Sequence, residues 1–198
     1  MKQFLFYIKL LIGSMYILAQ PTYTNPGIEM ADPYVLKCDS MYYLYGTTSN
    51  DGYKCWSSKD MVNWTAEGYA YQETVSTWGD NTYWAPEVKK FKGKYYMSYS
   101  CKGKGGANGG RMLLCLAVSD SPKGPFTDLY APWFDDGYSC IDSDIFFDSD
   151  STPYLYFDKV GATGYIYGMI YVRRLSAADL SILGDTVKCI QASQAWEN

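Results

Sequence analysis

The chain has 198 residues, of which 47% are hydrophobic and 18% aromatic, and a formal net charge of −4. That is apolar material enough for a sizeable core, and the lack of a basic patch argues against nucleic acid as a partner. Histidine is absent, which excludes imidazole bases, His-based triads and His-ligated zinc within these residues.

Residues 1–19 read as a signal peptide. Lys2 gives a small positive start, Phe4 to Ala19 is mostly apolar but broken by Lys9, and Ile17-Leu18-Ala19 ends on a small residue before Gln20. An uncleaved anchor is the alternative, although the broken run is short for a spanning helix. Cleavage would leave residues 20–198 secreted or periplasmic, free of the membrane, with fifteen basic and twenty-one acidic residues and a net charge of −6.

Beyond the leader, one strand-and-turn unit occurs three times. Asp32-Pro33-Tyr34-Val35, Ala85-Pro86-Glu87-Val88 and Asp142-Ser143-Asp144-Ile145 align at offsets of 53 and 57 residues. The first unit predicts strands at Tyr34–Cys38, Met41–Thr47 and Tyr53–Ser57, closed by the turn Ser58–Trp64 with Trp64 as packing anchor. The second turns at Phe91–Lys94, carries a flexible glycine-rich loop at Lys102–Gly110, and has its third strand at Arg111–Val118. The third turns at Asp148–Pro153 and has its third strand near Tyr165–Arg173. Only Leu175–Leu183 approaches a helical period, as one short turn.

All-strand repeats of this length suggest an all-β fold, the blades of a β-propeller, at approximately 29–70, 83–130 and 140–190. Propellers close with roughly four to eight blades, so three form an open arc with an exposed edge and an apolar side. The expectation is a partial propeller, truncated at its C-terminus. Strand alternation then puts Thr48–Gly52, Trp78–Trp84, Lys102–Gly110 and Gly161–Gly164 around the same mouth as Asp32 and Asp142.

Several features carry two readings. Asp32 precedes a proline, which favours an extended backbone there and a rigidly aimed carboxylate; it equally suits a strand-start turn. Asp142 and Asp144 share one side of a strand, yet the phenylalanines after them and the missing glycine turn speak against a calcium loop. The loop at Lys102–Gly110 lacks the phosphate-binding pattern. Trp78, Tyr83 and Trp84 would stack on sugar faces in a cleft or pack blades together elsewhere. Six cysteines without a C-x-x-C pair leave disulfides and buried thiols both open.

A-D-P-Y-V at Ala31–Val35, S-K-D-M-V-N-W at Ser58–Trp64, Y-W-A-P-E-V at Tyr83–Val88 and I-D-S-D-I-F-F-D at Ile141–Asp148, with P-Y-L-Y-F following, occur in this order. Together they resemble glycoside hydrolase family 43. The resemblance implies a five-bladed β-propeller of which about three blades are present. It also implies inverting hydrolysis of arabinose- or xylose-containing plant polysaccharides, of the α-L-arabinofuranosidase or β-xylosidase type. Asp32 would be the general base and Asp142 the modulator of the general acid's pKa. That acid is a glutamate in a later blade, and no residue here matches it; Glu197 lacks the context. Trp84, Tyr83 and Glu87 would line the substrate site. Ser143 stands where the family often has proline. No cofactor or metal is expected; a central calcium ion in the complete protein stays open, since the histidine that some members place around it would lie beyond Asn198. The partner would be an oligo- or polysaccharide. A non-catalytic sugar-binding propeller is the main alternative, with a purely structural propeller and a phosphorolytic relative behind it.

Overall fold

The computed structural model describes residues 27–160 and 169–194. The predicted signal peptide and Gly161–Gly164 lie outside the described residues. Among the described residues twelve strands form three four-stranded antiparallel sheets, each in simple meander order. The first holds β1 (Ala31–Cys38), β2 (Met41–Thr47), β3 (Gly52–Ser58) and β4 (Thr65–Gln72). The second holds β5 (Gly79–Phe91), β6 (Lys94–Gly103), β7 (Met112–Ser119) and β8 (Thr127–Tyr130). The third holds β9 (Ser139–Phe147), β10 (Pro153–Val160), β11 (Met169–Leu175) and β12 (Ile182–Gln191). These are three blades of a β-propeller, with β1, β5 and β9 innermost. Each blade has a fourth strand that the sequence reading did not name.

The blades stack through two apolar layers. Leu36, Tyr45, Tyr53 and Tyr71 of the first blade meet Val88, Met97, Tyr99, Cys101 and Cys115 of the second. Leu114 and Leu116 of the second meet Ile145, Leu155 and Phe157 of the third, with Trp133 and Leu180 closing the far end. Each large side chain buried in this way contributes about 1.5–3 kcal/mol. Gly52 shows how tightly the strands approach: at φ +141, a Cβ there would sit 2.2 Å from the Tyr71 carbonyl oxygen.

One local expectation is revised. Trp64 is half-exposed and its indole N–H donates to the Met61 carbonyl, so it closes its own turn rather than anchoring the blade. Lys104–Gly110 forms the loop between β6 and β7, with Gly105, Gly106, Asn108 and Gly109 at positive φ, and the adjacent Arg111 pairs with Asp135 at 2.7 Å. Leu175–Leu183 holds the one short turn expected there, between the end of β11 and the start of β12, with Leu180 N–H donating to Ser176 O at 2.8 Å. All six cysteines are free thiols, five of them buried and Cys189 exposed. Val35 on β1, Phe146 on β9, and Leu183, Val187 and Ile190 on β12 are exposed.

Candidate active site

The inner strands share a defect at the position the repeat alignment equates. Asp32, Ala85 and Asp142 have φ of 50°, 43° and 55°. Register shifts fall at the same places: between Ala31 and Tyr34, between Trp84 and Glu87, and opposite Tyr156 and Asp158. Each is a β-bulge, which turns one side chain out of the pleat. Asp32 is therefore left-handed, not extended as its proline suggested. Aspartate tolerates that region because its short polar side chain bonds locally; Ala85 has no such relief.

Strand order puts the three bulges at one end. Ala31 faces Thr47, Gly79 faces Gly103 and Ser139 faces Val160, so the loops after β2 and β6 rise beside them. A cleft of about 240 Å³ opens there, lined by Asp32, Pro33 and Tyr34, by Ala85, Pro86 and Glu87, and by Asp142 and Ser143. It collects one segment from each blade.

In the first two blades a hydroxyl on the second strand braces the next bulge. Thr47 Oγ1 accepts from Ala85 N–H at 2.9 Å and donates to Asp32 Oδ2 at 2.7 Å. Ser100 repeats the device one blade on, with Oγ accepting from Asp142 N–H at 3.2 Å. Thr47 thus fixes Asp32, a role that sequence reading missed because Thr47 sits at the opposite end of a hairpin. In the third blade Asp158 takes the corresponding place, and its Oδ1 is buried without a hydrogen-bond partner among the described residues.

Electrostatics separate the carboxylates. Desolvation by the cleft walls raises the Asp142 pKa, and the charges of Asp32 and Asp158 push it the same way. Glu87 is pushed up to about 8, first by burial and then by its hydrogen bond with and the charge of Asp144. Burial would raise Asp144 too, but Glu87 and Lys89 both donate to it and hold it below the usual range. Glu87 is thus neutral at pH 7 and Asp144 ionised.

This has a consequence for stability. Glu87 binds its proton in the folded chain up to about pH 8 but loses it near 4.5 when unfolded, so stability falls as pH rises through that window and is level above it. Asp144 acts only at lower pH, because its pKa is depressed. Glu87→Gln, which mimics the neutral acid, should flatten the decline; melting curves between pH 4.5 and 8 check this. Parallel wild-type and mutant curves would refute the shared-proton assignment.

The predicted site residues do not all come together. Asp32, Asp142 and Glu87 line the cleft. Trp84, next to Ala85 in the chain, is 44% exposed, and its carbonyl accepts from the Tyr53 hydroxyl at 3.1 Å. Tyr83 does not line it. It is 1% exposed and packs at 5.7–6.2 Å from the rings of Tyr53, Tyr71 and Tyr99 between the first two blades. The reason is the bulge: it separates the strand ahead of it, where Tyr83 faces the core, from the cleft segment that begins at Ala85. Tyr34 and Ser143, by contrast, line the cleft and were not singled out. Among the described residues no cluster of three or more acidic or cysteine ligands suits a metal, and no helix is long and apolar enough to cross a membrane.

Comparison with known proteins agrees with this geometry. A thermostable family-43 glycoside hydrolase superposes with a TM-score of 0.79 at 43% identity, covering 89% of this chain and 58% of that one. An endo-arabinase from Bacteroides thetaiotaomicron superposes with a TM-score of 0.74 at 31% identity, over 84% of this chain and 58% of that one. The extracellular endo-alpha-(1->5)-L-arabinanase 1 of Bacillus subtilis is 29% identical over 144 residues, 64% of this chain and 42% of its own length. A xylosidase/arabinosidase of Bacteroides ovatus is 30% identical over 152 residues, 68% and 45% of the two chains. The chain therefore spans less than half the length of these curated relatives. The family model described as Glycosyl hydrolases family 43 matches residues 23–198. With three blades, two aspartate bulges facing one cleft and that match, the chain belongs to glycosyl hydrolase family 43.

Proposed function

We propose that the whole protein is an exported, inverting glycosidase acting on arabinose- or xylose-containing polysaccharides. Asp32 serves as general base and Asp142 tunes the general acid. The observation that carries this reading is the pair of carboxylates brought to one cleft by repeat-related bulges of the first and third blades. The hydroxyl of Thr47 holds Asp32 in place, as a base that must take a proton from one oriented water requires. Inversion needs that base roughly 6.5–9.5 Å from a carboxylic acid across the scissile bond. On this reading the acid comes from a later blade, and Asp142 keeps it protonated by like charge.

The relatives' names favour arabinan or xylan over other substrates, and several are named extracellular, which supports export of this chain. Proton NMR of an arabino-oligosaccharide digest by the whole protein tests the proposal. An α-linked arabinofuranoside should release the β-anomer first, before mutarotation. First release of the α-anomer excludes inversion. Oligosaccharide binding without any hydrolysis would instead establish the sugar-binding alternative.

A further inference from the structure

One cation gathers groups from all three inner strands. Lys89 lies four residues beyond Ala85 on β5. Its Nζ is 2.6 Å from Asp144 Oδ1 on β9 and 3.6 Å from Glu87 Oε2 on its own strand. It also stands 5.3 Å from the centroid of the Tyr34 ring on β1. Those three partners hold one repeat position: each is two residues past the bulge residue of its strand, Asp32, Ala85 or Asp142. The Lys89 side chain is 26% exposed, so solvent screens it less than a surface lysine.

We infer that Lys89 is a positioning residue, tying the three inner strands through the cleft residues Tyr34 and Glu87 and their neighbour Asp144, and so fixing the separation of Asp32 and Asp142. The inference rests on the base-and-modulator reading above.

The physics runs from charge to geometry. Glu87 and Asp144 project toward each other from neighbouring blades, and with Glu87 neutral the half-buried charge that needs an opposing cation is that of Asp144. Lys89 supplies that charge at 2.6 Å from Asp144, lies 3.6 Å from Glu87, and makes a cation–π contact to the first blade. Burial opposes its own charge, but Asp144, Tyr34 and Glu87 outweigh that and push its pKa up to about 12, so it stays charged. Without it, the Asp144 end of the contact between β9 and β5 loses its tie, and a shift of Asp144 reaches Asp142 because one strand carries both. Tyr34 couples Asp32 in the same way. An exposed ion pair would contribute little; a cation shared by three strands at a reaction centre acts through distance, where about 1 Å of misplacement can cost about a hundredfold in rate.

The test is steady-state kinetics on the whole protein. Lys89→Met should lower kcat by about tenfold or more with KM within about twofold, and Lys89→Arg should recover most of the loss. Unchanged kcat with only a lower melting temperature would make Lys89 a stability element and overturn the inference. A raised KM at unchanged kcat would also overturn it, by making Lys89 a sugar ligand. Should Lys89→Met fail to fold, Asp144→Asn decides the matter. It withdraws the nearest anion at constant size, and full kcat in that variant discards the tie. Failure of the underlying reading shows separately, because Asp32→Asn would then retain turnover whatever Lys89 does.

Discussion

Asp32→Asn in the whole protein should lower kcat by about 10²- to 10⁴-fold, the usual contribution of a positioned general base, while oligosaccharide affinity stays nearly unchanged. The two effects separate for a structural reason. An amide keeps the shape of the carboxylate and still accepts from Thr47 Oγ1, which reaches Asp32 at 2.7 Å. The bulge, the Ala85 N–H bond to Thr47 and the cleft wall therefore persist. What disappears is the ability to take a proton from water. Because Asp32 is exposed at the mouth, its replacement removes little packing. Turnover of an aryl arabinofuranoside or xyloside, beside calorimetric titration with an unreactive oligosaccharide, measures both quantities. Equal loss of binding and turnover in a folded mutant would make Asp32 a sugar ligand, and the base would have to be sought elsewhere.

How far the chain could be read in advance depended on what repeats. The offset between Asp32 and Ala85 was visible because the same bulge recurs with the same flanking proline, and this alignment located the cleft. The fourth strands were harder. β4 and β12 are largely exposed, and β8 has only four residues, so none carries a continuous apolar signature. Tyr83 misled for the opposite reason. Ala85, two residues after it, lines the cleft, whereas strand alternation turns Tyr83 inward before the bulge resets the phase. Lys89 and Thr47 gave no sequence signal at all. Their partners lie on other strands or at the far end of a hairpin, and only blade stacking joins them. The family resemblance could supply roles for Asp32 and Asp142; it could not supply the supports beneath them.

Tyr99→Ala should destabilise the fold by about 3–5 kcal/mol, as for other large aromatic truncations in a core. Tyr99 is fully buried, with Tyr71 at 5.1 Å and Tyr53 at 5.6 Å between ring centroids. Its hydroxyl donates to Asp128 at 2.6 Å and lies 3.1 Å from the Tyr71 hydroxyl, joining the core to β8. Truncation removes the ring, leaves a cavity among three other tyrosines and withdraws a donor from a carboxylate. Tyr99→Phe isolates the last effect and should cost about 1–3 kcal/mol. Tyr83 makes the contrast. Its hydroxyl is buried without a hydrogen bond of ordinary geometry, so Tyr83→Phe should stay within about 0.5 kcal/mol of wild type and leave sugar affinity alone. Urea unfolding of the three variants, with oligosaccharide titration of the third, distinguishes a packing cluster from a sugar platform. Loss of sugar binding in a stable Tyr83→Phe protein would return that residue to the cleft; equal costs for Tyr99→Phe and Tyr83→Phe would remove Asp128 from the account of the core.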